Sequence, residues 1–296
     1  MLDRSSKVTY LYGMNKLPLS KRVQIINLLV EGSSLRATSR IADVSINTVT
    51  KLLVDVGRAC EKFHDQTVQN VVSQRIQCDE IWSFVYSKQK NVPTGMEEEA
   101  GDVWTWTCID ADTKLIISWF VGNRDAESAH LFMNDVATRI KAKPGQITTD
   151  GHHEYQQAVL DAFGSQVNFA QLVKRYSGDD MRTPERKYSP SSFVSAKKNV
   201  VFGNPDREHV STSYVERANL TMRMHMRRFT RLTNAFSKKV ENHAHAVALH
   251  FVYYNFVKVH KTLRVTPAME SGLSKRFLTI EDIVNLADGK MPKLSN

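Results

Sequence analysis

The sequence predicts an α/β protein: a mixed five-stranded sheet with helices on its faces, preceded by a small all-α helix-turn-helix domain. Three observations lead there. Between residues 19 and 60, apolar side chains recur at helical spacing, interrupted by Gly32 and by serines suited to helix starts. From residue 75 the pattern becomes strand-like alternation in three successive runs, and strand and helix patterns then alternate. With 296 residues and 42% hydrophobic content, the chain can bury a sizeable core.

The stretch "LPLSKRVQIINLLVEGSSLRATSRIADVSINTVTKLLVDVGRA" reads as three short helices. Val23, Ile26 and Val30 mark the first, which stops at Gly32. Ser33 or Ser34 caps a second helix through Ala42, Ser45 caps a third, and "ADVS" makes the tight turn between them. Ala37, Ile41, Val44, Ile46, Val49 and Leu53 are expected to face inward and lock the helices at an angle. Asp43 stands at the turn position where glycine is common. Asn47, Thr48, Thr50 and Lys51 point outward near the start of the third helix. They are short polar and cationic groups suited to base edges and phosphates in a major groove. After Cys60, "EKFHDQTVQNVVSQ" loses its periodicity and reads as a connector.

"RIQCDEIWSFVYSKQ" alternates as a strand, with Ile76, Cys78, Glu80, Trp82 and Phe84 on one side and Gln77, Asp79, Ile81, Ser83 and Val85 on the other. An Asp-Glu pair in mid-strand needs a compensating partner, because carboxylates disfavour strands and resist burial. The polar loop 91–101 leads to "VWTWTCIDA" and "KLIISWFVG", joined by the turn signal "DADTK", so the three runs form an antiparallel meander. "DAESAHLFMNDVATRIKAK" is a helix capped by Asp125. "GQITTDGHHEYQQAVLDAFG" is a strand ending at Asp150, a glycine break and a helix, which puts a carboxylate at the C-terminal end of a strand, where α/β sheets carry their chemistry. "NFAQLVKRY" is the fifth strand. Residues 176–209, rich in Ser, Pro and charge, read as a long loop or insertion in which Lys197 and Lys198 face DNA.

The net charge of +9 is unevenly spread. Counting Lys and Arg against Asp and Glu, residues 1–70 hold 10 against 6, residues 71–173 hold 8 against 14, and residues 174–264 hold 18 against 7. A basic block beside an acidic one suits a polyanion held against a carboxylate-bearing centre.

Within the basic block, "TSYVERANLTMRMHMRRFTR" keeps a single carboxylate, Glu216. Asp79 in the first strand, Asp150 ending the fourth and Glu216 on a later helix can converge in space. Such carboxylates repel one another unless cations sit between them. Magnesium suits the set, taking hard oxygen ligands, and a pair of such ions activates a water or 3′-hydroxyl against a phosphodiester. Along the helix, Asn219, Arg223, Arg227 and Arg228 are candidate DNA contacts that follow Glu216 as a phosphate track. Glu80, Asp110 and Asp112 remain rival acids. His152 or His153 is placed to position a phosphate or water. His243, His245 and His250 do not share a helix face and read as core or surface residues. Tyr253, Tyr254, Asn255, His260 and Lys261 read as core or as a border of the site.

Four ordered motifs, "CDEIWSFV", "TTDGH", "TSYVERANLTMRMHMRRFTRLTNAFSKK" and "YYNFVKVHKTLRVTPAM", together resemble transposases of the insertion-sequence-one family, in the DDE class. The resemblance covers most of residues 19–270. It implies a ribonuclease-H-like core behind an N-terminal DNA-binding region, with Asp79, Asp150 and Glu216 as catalytic metal ligands and Mg2+, or Mn2+ in its stead, as cofactor. It also implies binding of double-stranded DNA at the terminal inverted repeats, strand cleavage, 3′-hydroxyl transfer into target DNA, and a homodimer or larger assembly on DNA. The chain lacks the cysteine-rich zinc motif of the founding members, and Cys60, Cys78 and Cys108 form no CxxC pair.

The expected division is 1–68 for DNA binding, 69–270 for catalysis and 271–296 as an extension. No apolar stretch approaches the ~20 residues of a membrane span, and "MLDRSSKVTYLYGM" lacks a signal-peptide core, so a cytoplasmic, nucleoid-associated place is expected. The other reading is a sequence-specific DNA-binding regulator whose ribonuclease-H-like domain has lapsed.

Overall fold

The computed structural model describes residues 16–97, 99–176, 193–230 and 235–295. It opens with α1 (Leu19–Val30), α2 (Leu35–Ala42) and α3 (Ile46–Thr67). Ser34 caps α2 by accepting from the Ala37 N–H, and Ser45 caps α3 by accepting from the Thr48 N–H. The turn between them places Asp43 in the left-handed region, at φ 48° and ψ 54°. Aspartate is among the few side chains that tolerate this conformation, so the turn forms without glycine.

Two details of the N-terminal reading change. Ile41 and Ile46, expected inward, are 58% and 39% exposed; Val49 and Leu53 are buried as expected, together with Thr38 and Ala42. The third helix does not give way to a connector at Cys60 but continues to Thr67, because Phe63 and His64 bury against the rest of the protein. Phe63 meets Phe256 edge-on at 4.9 Å, and the His64 ring lies 4.2 Å from Trp119. The N-terminal helices therefore share one continuous hydrophobic core with the sheet.

The sheet has β1 (Arg75–Val85), β2 (Gly101–Asp110), β3 (Ile116–Gly122), β4 (Gln146–Asp150), β5 (Phe169–Tyr176) and β6 (Phe193–Phe202). Its order is β3-β2-β1-β4-β5-β6. The first three strands are the expected antiparallel meander, β4 and β5 run parallel to β1, and β6 returns antiparallel to β5. The sheet is thus mixed but has six strands among the described residues, not five. The sixth lies inside the segment read as a loop over 176–209, of which 177–192 fall outside the described residues. As an edge strand with both faces open, β6 buries little, so its sequence lacks alternation, and Lys197 and Lys198 occupy positions where charge discourages edge-to-edge pairing.

Between the strands, α4 (Ala126–Arg139) and α5 (Tyr155–Phe163) pack together on one face. The other face carries α6 (Ser213–His225), α7 (Val240–Val252) and, beyond α7, the length of α3. A single π-turn at Tyr253–Val257 follows α7. It presents buried Asn255, whose side-chain amide both accepts from the Ile116 N–H and donates to the Ile116 carbonyl, pairing with edge strand β3 as a neighbouring strand would. Tyr253 and Tyr254 are buried. After the short α8 (Pro267–Glu270), α9 (Ile280–Leu286) packs on α1 and α3. Beyond it, Asp288 grips buried Arg22 with both carboxylate oxygens, at 2.9 and 3.0 Å. No helix among the described residues is long and apolar enough to cross a membrane.

Gly57, in mid-helix α3, lets α7 approach closely: a Cβ there would lie 2.3 Å from the His245 carbonyl oxygen. Alanine normally favours a helix over glycine by about 1 kcal/mol, but here the backbones must separate. Gly57→Ala is expected to lower stability by about 1–3 kcal/mol in urea unfolding; a stabilised variant would show that the α3–α7 contact yields freely.

Candidate active site

The site is set by strand register. Cys78 of β1 pairs with Thr149 of parallel β4, so Asp79 and Asp150 fall side by side where β4 ends and β1 continues. Gln77 and Asp79, on one face of β1, hold α6. The Gln77 side-chain oxygen accepts from the N–H groups of Tyr214 (2.9 Å) and Val215 (3.2 Å), capping the N-terminal end of the helix. Asp79 Oδ2 accepts from the Asn219 amide at 2.8 Å. With α6 pinned at both points, Glu216 lies between them on the wall of the pocket containing Asp79 and Asp150.

This pocket, about 630 Å³, is also lined by Glu80, Arg124, His152, His153, Lys174, Thr212 and Arg223. Asp79, Glu80 and Asp150 each offer a carboxylate oxygen within 4.8 Å of the others. The tightest acidic group therefore contains Glu80, one of the rival acids. The other rivals lie elsewhere: Asp110 closes the β2–β3 turn by accepting from Asp112 and Thr113, and Asp112 pairs with Arg75.

Glu216 borders this group while its Oε1 accepts from the Lys174 ammonium and the Thr212 hydroxyl. Arg124 stacks over Trp104 and reaches Glu80 at 3.3 Å and Asp150 at 3.6 Å. Asp150 Oδ1 also accepts from the His152 N–H at 3.0 Å, and Gln171 donates to the carbonyls of Asp150 and His152, fixing the strand end.

Electrostatics follow from this crowding. Burial, then the charges of Asp150 and Glu216, raise the Asp79 pKa to about 7. Burial and Asp150 raise Glu80 to about 8. Glu80 Oε1 is buried beside the Tyr155 hydroxyl, whose interaction offsets part of that rise. Three carboxylates with oxygens within 4.8 Å of one another, two of them with raised pKa values, fit a hard divalent cation, which would supply the missing positive charge. Burial lowers the His152 pKa, and its ring packs against Trp106 and Tyr155, whereas His153 is exposed.

The expected phosphate track is interrupted. Helix α6 ends at His225, and Met226 is extended, at φ −128° and ψ 107°. This break lets both Met226 and Phe229 reach the core. Arg223 stays on the pocket wall, but Arg227 lies on a separate turn beyond the helix and is off the Glu216 stripe. Arg228 turns inward and donates to the Ser237 hydroxyl at 2.5 Å, its pKa depressed to about 10 by burial. Asn219, expected on the DNA-facing stripe, is only 5% exposed and braces Asp79.

In the first turn of α3, the Thr50 hydroxyl donates to the Ile46 carbonyl and that of Thr48 contacts Ser45, leaving Asn47 and Lys51 outward. Asn47, Thr50, Arg227 and Arg228 share a second cavity, of about 1060 Å³, between the N-terminal helices and α7. His243 and His250 are buried, with pKa values lowered to about 3 by burial.

Sequence reasoning missed Arg124, Lys174, Thr212 and Gln77. Arg124 follows β3 and Lys174 lies two residues before the end of β5, with no local signal that either faces acids. Gln77 carried one, as a polar residue two positions before Asp79 on the same strand face.

Residues 99–181 match a family model described as "DDE domain" (DDE_Tnp_IS240), which supports a DDE transposase. No curated protein matches the chain. Among solved structures, endonuclease V from Bacillus subtilis is 12% identical, with 66% of this chain and 90% of that chain covered and a TM-score of 0.24. The Mos1 strand transfer complex is also 12% identical, with 94% and 81% covered and a TM-score of 0.23. At such scores neither carries an argument about this chain.

The raised carboxyl pKa values make stability depend on pH in a definite direction. The folded protein holds protons on Asp79 and Glu80 that the unfolded chain has lost above about pH 4–5. Stabilisation from that protonation is complete below pH ~4 and fades as pH rises through ~7–8. Without metal, the melting temperature is expected to fall between pH 5.5 and 8.5, and added Mn2+ to raise it more at pH 8 than at pH 5.5. The pair Asp79→Asn and Glu80→Gln is expected to flatten both trends in thermal unfolding; an unchanged slope would exclude these carboxyls as its source.

Proposed function

We propose that this chain is a DNA transposase that binds the terminal inverted repeats of an insertion sequence, cleaves strands there and joins the freed 3′-hydroxyl to target DNA. The observation that carries the reading is the pocket where carboxylates from β1, β4 and α6 meet among Arg124, Lys174 and Arg223. It is supported by the DDE-domain match over residues 99–181, which contains Asp150.

In this reading Asp79, Asp150 and Glu216 hold Mg2+ or Mn2+, with Glu80 beside them. Bound there, such ions would supply positive charge at the scissile phosphate and lower the pKa of the attacking hydroxyl or water. The chain's own residues orient and grip. Gln77 and Asn219 hold α6 so that Glu216 stays opposite the two aspartates, while Arg124 and Arg223 line the path of the backbone phosphates. Asn47 and Lys51, on the outward side of α3, read the element's ends in the manner of a helix-turn-helix. Two ends are handled together, so the working species is a dimer or larger assembly on DNA.

The test is a cleavage and strand-transfer assay on duplexes carrying the inverted sequences that flank the gene. With Mg2+ or Mn2+ the parent protein should cut and join. Asp150→Asn should lose at least about 100-fold in rate and retain DNA binding that weakens steeply with salt. If Asp150→Asn joins ends at the parent's rate, the assignment of the pocket fails. A parent protein that binds the ends yet never cuts would favour the regulator.

A further inference from the structure

We propose that Lys174 is a counter-ion shared between the cation site and the bound strand. It neutralises Glu216 in the free protein and swings to a backbone phosphate when a divalent cation claims that carboxylate. The inference rests on the transposase reading of the same pocket and adds a role for a residue outside the acidic set.

Its basis is a difference between two basic side chains that pair with the acids of this pocket. Arg124 is anchored: its guanidinium stacks on Trp104 and spans Glu80 and Asp150. Among the described residues Lys174 contacts a single acid, Glu216, and its side chain is 24% exposed at the end of a flexible stem. It extends from β5 two residues beyond Leu172, the register partner of Asp150, so the ammonium stands in the pocket and not on the outer surface.

The ammonium and the Thr212 hydroxyl both take Oε1 of Glu216. Glu216 accordingly borders the Asp79, Glu80 and Asp150 group without joining it. A cation arriving at Glu216 repels the ammonium, because two positive charges then share one carboxylate. When Lys174 leaves, Thr212 keeps the carboxylate oriented, and a strand phosphate is the new partner that a point-like, mobile ammonium suits. Metal and lysine thus compete for Glu216, whereas metal and DNA cooperate through lysine.

Two measurements on the full-length protein test this. Calorimetric titration of Mn2+ without DNA should give about 5- to 10-fold tighter binding to Lys174→Met than to the parent, with Lys174→Arg close to the parent. A lysine that only supports the fold would weaken metal binding when removed. In the presence of Ca2+, binding of an element-end duplex by Lys174→Met should show a slope of log affinity against log salt smaller by about one. Unchanged or weaker Mn2+ binding by Lys174→Met overturns the competition, and an unchanged salt slope overturns the phosphate contact. Failure of the underlying reading is separable: a parent that binds no Mn2+, or an Asp150→Asn variant that binds it as the parent does, removes the cation site itself.

Discussion

Mutual repulsion among carboxylates is the constraint on which this structure turns. Asp79, Glu80 and Asp150 bring oxygens within 4.8 Å of one another, and Glu216 adds a fourth negative group on the wall of the same pocket. Left to itself such a cluster protonates or spreads. The backbone prevents spreading, because Asp79 and Asp150 belong to adjacent parallel strands whose register is held by main-chain hydrogen bonds. Burial and, after it, this repulsion raise the pKa values of Asp79 and Glu80, and the same uncompensated negative charge makes the pocket attractive to a divalent cation.

Around that strain the protein arranges two kinds of support. Neutral amides carry the geometry: Gln77 caps α6, Asn219 ties it to Asp79, and Gln171 steadies the end of β4. Cations carry the charge balance, with Arg124 fixed between Glu80 and Asp150 and Lys174 against Glu216. The division is physically reasonable, since an amide keeps its hydrogen bonds whatever the ionic content of the pocket, whereas a counter-ion must yield when metal or phosphate arrives.

The N-terminal helices join this scaffold directly. Helix α3 lies along α7, with Gly57 permitting close approach, and α1 is tied to the turn after α9 by the Arg22–Asp288 pair. Between these helices and the segment after α6 lies the larger cavity, where Asn47 and Thr50 meet Arg227 and Arg228. The basic residues of the 174–264 block are therefore divided: Lys174 and Arg223 border the carboxylates, while Arg227 and Arg228 border the N-terminal helices.

Much of this was legible in the amino-acid order, because it depends on local periodicity and capping. The three-stranded meander, the Asp125 and Ser45 caps, the strand ending at Asp150 and the candidate acids Asp79, Asp150 and Glu216 all follow from patterns a few residues long. What required the folded chain was non-local. Strand β6 lacks alternation because an open edge imposes none, and α6 stops at His225 so that Met226 and Phe229 can both be buried. Glu80 is drawn into the acidic group, and Arg124 and Lys174 face it, only because strand register and packing bring distant segments together. Spacing along the chain determined which side chains were available for chemistry; three-dimensional proximity decided which charges must share a single pocket.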